Sequence, residues 1–258
     1  MKKIALSFDV EPDLHTKDYK GITKGINKIL SIISKYNLKA TFFVTCDCIE
    51  KYPKIFQDLV EKGHEIALHG YRHRRFDEIS YKEKEEQIKK SIKCFKKYLK
   101  QNPKGFRAPE HSIDKQVLHI LKKYKFTYDS SYTPLNLLQL FFFPNKFGFY
   151  FKHFFSKKKP YKIIEDFYEI PVSAVFFPFV GLVFRIFPEA LKKIYFNLLK
   201  IFNKDLIFYA HSWDFIDVSG SRIAKKWPKE RLINKLDCFI EHSIKKNKFC
   251  KIIDLIKK

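Results

Sequence analysis

The chain has 258 residues, 45% of them hydrophobic, with 51 basic and 28 acidic side chains giving a net charge of +23. That length and apolar content suit one large domain with a real core, and only 8 glycines and no Ser-rich or Pro-rich tract argue against a linker or low-complexity region. The first apolar run ends at Asp9, too short for a signal-peptide core, and the longest, Ile170–Phe184, contains Pro171 and Pro178 and falls short of the roughly 20 residues of a spanning helix, so a cytoplasmic protein without a transmembrane helix is expected.

Taken in chain order, short β-rich runs alternate with amphipathic stretches. KIALSFDV (3–10) reads as a buried strand, and Ile22, Ile26, Ile29, Leu30 and Ile33 follow at helical spacing. ATFFVT (40–45) is a second strand, and YPKIFQDLVEKG a helix stopped by Gly63. EIALH (65–69) is the third strand, followed by a long helix over 82–100. GFRAP (105–109) is the fourth, and Asp114 is the expected N-cap of a helix reaching Tyr124. FTYDSS (126–131), FYEIPV (167–172) and LIFYAHSW (206–213) complete the strands. Helices are expected over 189–202 and 229–245. Strands separated by helices imply βαβ units and a parallel sheet. Seven of them fit a closed or nearly closed barrel, with a doubly wound open sheet as the alternative.

A barrel demands that site residues collect at the carboxyl ends of strands, on one rim. Asp9 and Glu11 close the first strand, and His69 closes the third with His73 in the loop after it. Arg107, Asp129 and His211 lie near the ends of the fourth, fifth and seventh. His64 precedes its strand, so it belongs to the opposite rim and reads as structural. His69 and His73, four apart with Gly70 between, can bring two imidazoles to one metal. Two histidines and a carboxylate leave positions open for water and substrate, as catalytic metal sites do.

The pieces SFDVEPD, KATFFVT, GHEIALHGYRH, GFRAP, YDSS and FYAHSWDF together resemble the polysaccharide deacetylase family, the NodB homology domain of carbohydrate esterase family 4, over roughly residues 4–213. The resemblance implies a distorted (β/α)7 barrel, TIM-like, in a single domain over 1–258, and a divalent metal: zinc by expectation, with cobalt, nickel or manganese as alternatives. It implies Asp9 as general base, and Arg107, in the R-x-P segment ending at Pro109, as the residue that holds it. His69 and His73 become metal ligands and His211 the general acid. Val10 stands where the family's metal carboxylate usually follows the base. The Asp-x-acid spacing of some branches, the undecaprenyl-linked aminoarabinose deformylases among them, would make Glu11 the ligand, with Asp13 as fallback. Asp129 takes the place of a further motif aspartate and is expected to hydrogen-bond His211. The implied activity is metal-dependent removal of an N-acetyl or N-formyl group from an amino sugar, a glycan precursor or lipid-linked sugar.

Three features stand outside that pattern. Half of the 28 phenylalanines fall between Phe141 and Phe187, and a basic, aromatic insertion is expected at about 134–160, with 137–160 as a peripheral membrane contact or else a packing or dimer face. The helix over 189–202 is expected to turn Lys192, Lys193, Asn197 and Lys200 out as a polar face. Five scattered cysteines, an odd number, fit a reducing compartment. Two rival classes are a non-catalytic carbohydrate- or lipid-binding relative and a basic nucleic-acid-binding protein; the lysines are dispersed over helix faces rather than in one stripe, so no nucleic acid is expected.

Overall fold

The structure, a computed structural model, describes residues 1–13, 16–137, 145, 147–217 and 226–256, with the side chains of residues 149 and 152 outside that description. Part of the expected insertion, 138–144 and 146, therefore lies outside the described residues.

The first strand, β1 (Lys3–Val10), is buried on both faces, as a parallel strand between helices and a barrel interior must be. It pairs in parallel with β2 (Thr41–Val44) on one side and with β10 (Leu206–His211) on the other. The sheet continues through β3 (Glu65–Leu68), β4 (Gly105–Phe106), β5 (Tyr128–Asp129) and β7 (Phe167–Glu169), in the order β10-β1-β2-β3-β4-β5-β7. These are the seven expected strands, all parallel to their neighbours. Four further strands were not anticipated. β6 (Tyr161–Ile164) runs antiparallel on β7, β8 (Ala174–Val175) and β9 (Phe177–Pro178) make a hairpin, and β11 (Lys248–Cys250) pairs with the start of β1. Between β7 and β10 the ring is bridged by the intervening chain rather than by strand pairing. Ser173 N donates to Ile207 O at 3.2 Å and Tyr209 N to Phe179 O at 3.1 Å. The fold is thus a distorted (β/α)7 barrel, not a doubly wound sheet.

Alternation along each strand divides the core in two. Ala5, Phe43, Ala67, Tyr128, Ile170 and Ile207 fill the barrel interior, where Ile252 of the C-terminal turn joins them. The opposite parity, including Leu6, Phe8, Phe42, Val44, Ile66, Leu68 and Phe208, packs outward against the helices. Those helices are α1 (Ile26–Ser34), α2 (Cys46–Lys51), α3 (Pro53–Glu61), α4 (Tyr81–Leu99) and α5 (Lys115–Lys123), then α6 (Phe147–Phe154), α7 (Gly181–Ile186), α8 (Glu189–Phe202) and α9 (Lys229–Ile244). Ser80 and Glu83 form a capping box at the start of α4, and Asp114 caps α5 by accepting from Val117 N at 2.8 Å. Gly25, just ahead of α1, lies against the chain after β10: a Cβ there would sit 2.1 Å from Ser212 O. No helix among the described residues is long and apolar enough to cross a membrane.

Candidate active site at the carboxyl rim

The interior-facing residues of β1 run Ala5, Ser7, Asp9, and Glu11 follows at the same parity. Asp9 is in register with His211 of β10. It is buried, and its Oδ1 accepts from Arg107 Nη1 at 2.7 Å. Arg107 is wholly buried and fully engaged: Nη1 also donates to Ser7 Oγ at 3.1 Å, Nε to Ser130 O at 3.0 Å, and Nη2 to Ser130 Oγ at 3.1 Å. Its guanidinium lies 4.0 Å from the centre of the Phe43 ring. Burial would raise the Asp9 pKa, but Arg107 and three nearby histidines outweigh it and hold the carboxyl below its ordinary value. Asp9 is therefore an ionised carboxylate fixed in place.

Glu11, His69 and His73 converge at the centre of the rim. One ligand atom from each lies within 4.8 Å of the others. Glu11 Oε2 is 3.4 Å from His69 Nε2 and 2.5 Å from His73 Nε2, yet it is buried and has no aligned hydrogen bond. His69 Nδ1 lies 2.7 Å from the Arg107 carbonyl oxygen. A carbonyl only accepts, so Nδ1 carries the proton and Nε2 turns its lone pair toward Glu11. A buried carboxylate oxygen facing an imidazole lone pair calls for a cation between them, and a carboxylate with two imidazoles is a donor set that suits a divalent ion. Gly70, at φ +92°, makes the turn from β3 that carries His73 back over the rim; a Cβ there would be strained and would sit 3.0 Å from Arg72 O.

Asp13, the fallback ligand, is elsewhere. Its carboxylate accepts from Gly21 N at 3.0 and 3.2 Å, anchoring the chain ahead of α1. Among the described residues, Glu11 is the carboxylate grouped with the two histidines.

His211 completes the rim. Its Nε2 is 3.8 Å from Glu11 Oε1, and its ring stacks on Trp213 at 4.4 Å between centroids. Its carboxylate partner corrects the sequence reading. Asp129 does not bond His211 among the described contacts; Asp214 stands beside it, with Oδ2 3.5 Å from His211 Nδ1 and accepting from His211 N at 2.9 Å. Strand parity explains the difference. Tyr128 faces the barrel interior, so the next residue turns the other way. Asp129 there accepts from Ser131 N at 3.1 Å and Ser131 Oγ at 2.7 Å, and that hydroxyl accepts from Ala108 N at 2.8 Å. Asp129 therefore braces the turn after Arg107. It is in register with Glu169, and burial raises the pKa of both carboxyls, that of Glu169 well above its ordinary value. Burial pushes the His211 pKa down, but Asp214, Glu11 and Asp9 outweigh it and raise it to about 9. Asp214 sits three residues beyond His211 in the short turn Ser212–Phe215; that H-x-x-D spacing was the available signal. Glu169 offered none beyond its place in a strand.

His64 falls on the opposite rim, as expected. Its Nδ1 accepts from Ala40 N at 3.2 Å, tying the start of β2 to that of β3. Around the mouth, Glu110 and His111 both adopt positive φ, 50° and 57°. This strained turn is held by Arg75, which pairs with Glu110 at 2.9 Å, and by His111 Nδ1, 2.8 Å from Ser131 O.

A family model for polysaccharide deacetylases matches residues 1–128, the part that supplies Asp9, Glu11, His69, His73 and Arg107. Residues 1–128 carry the polysaccharide deacetylase family's sequence pattern. The chain is 32% identical over 107 residues to a peptidoglycan deacetylase of Helicobacter pylori, covering 42% of this chain and 36% of that protein. To a peptidoglycan-N-acetylglucosamine deacetylase of Bacillus cereus it is 32% identical over 111 residues, 43% of this chain and 37% of the relative. The matched stretch thus spans little more than a third of either relative. Among solved structures, a peptidoglycan N-acetylglucosamine deacetylase superimposes with a TM-score of 0.60 at 19% identity, covering 98% of this chain and 87% of the other. A Bacillus anthracis pseudoenzyme of carbohydrate esterase family 4 gives 0.59 at 14%, covering 99% and 66%. An enzyme and a pseudoenzyme match the fold about equally, so the site residues must decide the activity.

Proposed function

We propose that the protein is a metal-dependent amide hydrolase that removes an N-acetyl or N-formyl group from an amino sugar. The observation that carries this is the convergence of Glu11, His69 and His73 within 4.8 Å, flanked by Asp9 on Arg107 and His211 on Asp214. The names of the matched relatives, peptidoglycan and chitin deacetylases, support the substrate class. A glycan precursor or lipid-linked sugar is the finer reading.

Glu11, His69 and His73 would hold the cation, zinc by donor type. When bound, a divalent ion polarises the acyl carbonyl and lowers the pKa of a water. Asp9 takes the proton from the attacking water as the new C–O bond forms; Arg107 keeps its carboxylate aimed and ionised. The backbone N–H of Glu110 donates to the developing oxyanion. His211 gives its proton to the nitrogen as the C–N bond breaks, releasing a carboxylic acid and the free amine. Asp214 and the Trp213 ring fix the imidazole for that transfer.

The test is acetate or formate release from N-acylated glucosamine oligomers by the purified protein, with its metal content measured in parallel. Asp9→Asn should lower turnover about 10²–10⁴-fold while metal stays bound, and His69→Ala should lose the metal itself. A metal-loaded protein that releases neither acid would favour a non-catalytic carbohydrate-binding relative.

A further inference from the structure

The sequence pattern placed the lysines of α8 outward and its apolar residues inward. In the structure Lys193, Asn197 and Lys200 are turned out as expected, but Lys192 is not and the apolar residues divide between both sides. Lys192 is buried and pairs with Glu189 at 2.6 Å, while Leu191, Ile194 and Ile201, spaced three and seven apart, form one exposed stripe on the outer side. Ile194 is 58% and Ile201 74% exposed. Helix α6 is divided in the same way. Tyr150 and His153 are buried against the rim, Tyr150 donating to Glu110 O at 2.7 Å, while Phe147 and Phe151 lie outward, continued by Phe155 at 69% exposure. The two outer faces are connected. Leu135 N donates to Phe154 O at 3.0 Å, Leu137 N to Phe176 O at 2.9 Å, and Tyr195 of α8 to Phe177 O at 2.9 Å. Phe176, in the middle of that chain of contacts, is 52% exposed. Lys158 Nζ lies 4.8 Å from the Phe202 ring at the end of α8.

Apolar side chains this exposed and this clustered mark a surface that meets something. Its rim states the sign of the partner's charge. Lys157, Lys159, Lys193, Lys200 and Lys204 are exposed around it, and the one acidic residue of α8, Glu189, is taken up by Lys192 and by Lys235 at 3.7 Å. A second copy of the chain docked by two-fold symmetry would set this cationic rim against itself. An anionic bilayer does the reverse: phosphates meet the lysines while the aromatic and aliphatic tips enter the headgroup boundary.

We propose that the outer faces of α6 and α8, joined through Phe176, dock on an anionic lipid bilayer. Because the inner face of α6 holds the turn at Glu110, docking sets the barrel mouth beside the headgroups, where a membrane-borne sugar would be presented. The docking stands on these surfaces alone; its bearing on substrate rests on the hydrolase reading above.

Flotation with vesicles of phosphatidylcholine and phosphatidylglycerol tests it, against phosphatidylcholine alone. The chain should float with the anionic vesicles and partition about tenfold more weakly onto the neutral ones. The same loss is expected for Leu191→Gln/Ile194→Gln/Ile201→Gln and, independently, for Phe147→Ser/Phe151→Ser, neither of which touches the rim side chains. A chain that stays in the soluble fraction with anionic vesicles overturns the proposal. So does flotation of both variants at the level of the parent chain, or a wild-type dimer that the α8 variant converts to monomer. Acid release from a soluble oligomer is read on the same samples, so failure of docking and failure of the hydrolase reading are separate results.

Discussion

The arc from β1 to β4 and the arc from β5 to β10 do different work on the same barrel. The first is regular, and its strand ends supply Asp9, Glu11, His69 and Arg107, with His73 in the loop beyond β3. The second mixes the six-residue β10 with two- and three-residue strands, a hairpin and aromatic helices, and contributes His211 with Asp214, together with the braces Ser130, Ser131 and Asp129. The site is thus anchored by one half and completed by the other. A residue's role depends on its strand parity as much as on its place near a strand end.

The largest effect should come from cutting the side-chain contact that crosses from one arc to the other at the site. Arg107 links Asp9 of the first to Ser130 of the second with no exposed surface of its own. Arg107→Met would leave the buried Asp9 carboxylate unpaired and release the Ser130 carbonyl. Loss of one partner of a buried pair costs about 3–5 kcal/mol. Denaturant unfolding should show that loss, and activity should fall with it. A variant as stable as the parent would mean that the guanidinium serves only to aim the base.

Next in size is the choice of carboxylate behind His211, which compares one residue of the second arc with another. Asp214→Asn should lower kcat by about tenfold or more with little change in KM, because it removes the group that orients and charges the acid. Asp129→Asn should act first on thermal stability, through Ser131 and the turn at Ala108. If Asp129→Asn were instead the variant that lost kcat at unchanged stability, strand parity would have been misread.

What the sequence made legible follows the same division. The seven parallel strands and helices α1, α3, α4 and α5 were readable because each carries its own period and its own stops, such as Asp114 at the start of α5 and Gly63 after α3; the six-residue α2 was not. His69, His73 and Glu11 were readable as a cluster because strand ends converge in any barrel. The closure through Ser173 and Phe179 was not, because it is a tertiary contact of irregular chain. Nor was the outward stripe of Leu191, Ile194 and Ile201: an amphipathic pattern shows that a helix has two faces, and packing alone decides which is turned in. Asp129 was misassigned because proximity to a strand end was weighed without parity, although Tyr128 beside it pointed into the core.

The smallest effect concerns His111, which spans the arcs. Its ring nitrogens lie 2.8 Å from Ser131 O and 3.3 Å from the Tyr209 hydroxyl. Burial, with Arg107 nearby, lowers its pKa from the ordinary 6.5 to about 3. In the unfolded chain the imidazole takes a proton below about 6.5, whereas in the folded chain it does not until about 3. The unfolded state therefore binds more protons across that window, and stability contributed at this position falls as the pH drops, by at most about 1.4 kcal/mol per pH unit. His111→Gln keeps a donor toward Ser131 and removes the titration, so the stability difference between parent and variant should shift toward the variant between pH 6 and pH 4, about the range in which the linkage acts. Nitrogen NMR of the parent should show the His111 ring neutral throughout that range. A ring that titrates near its ordinary value would mean that the seam between the arcs admits water at the mouth, and the barrel would then be rigid on its β1–β4 side only.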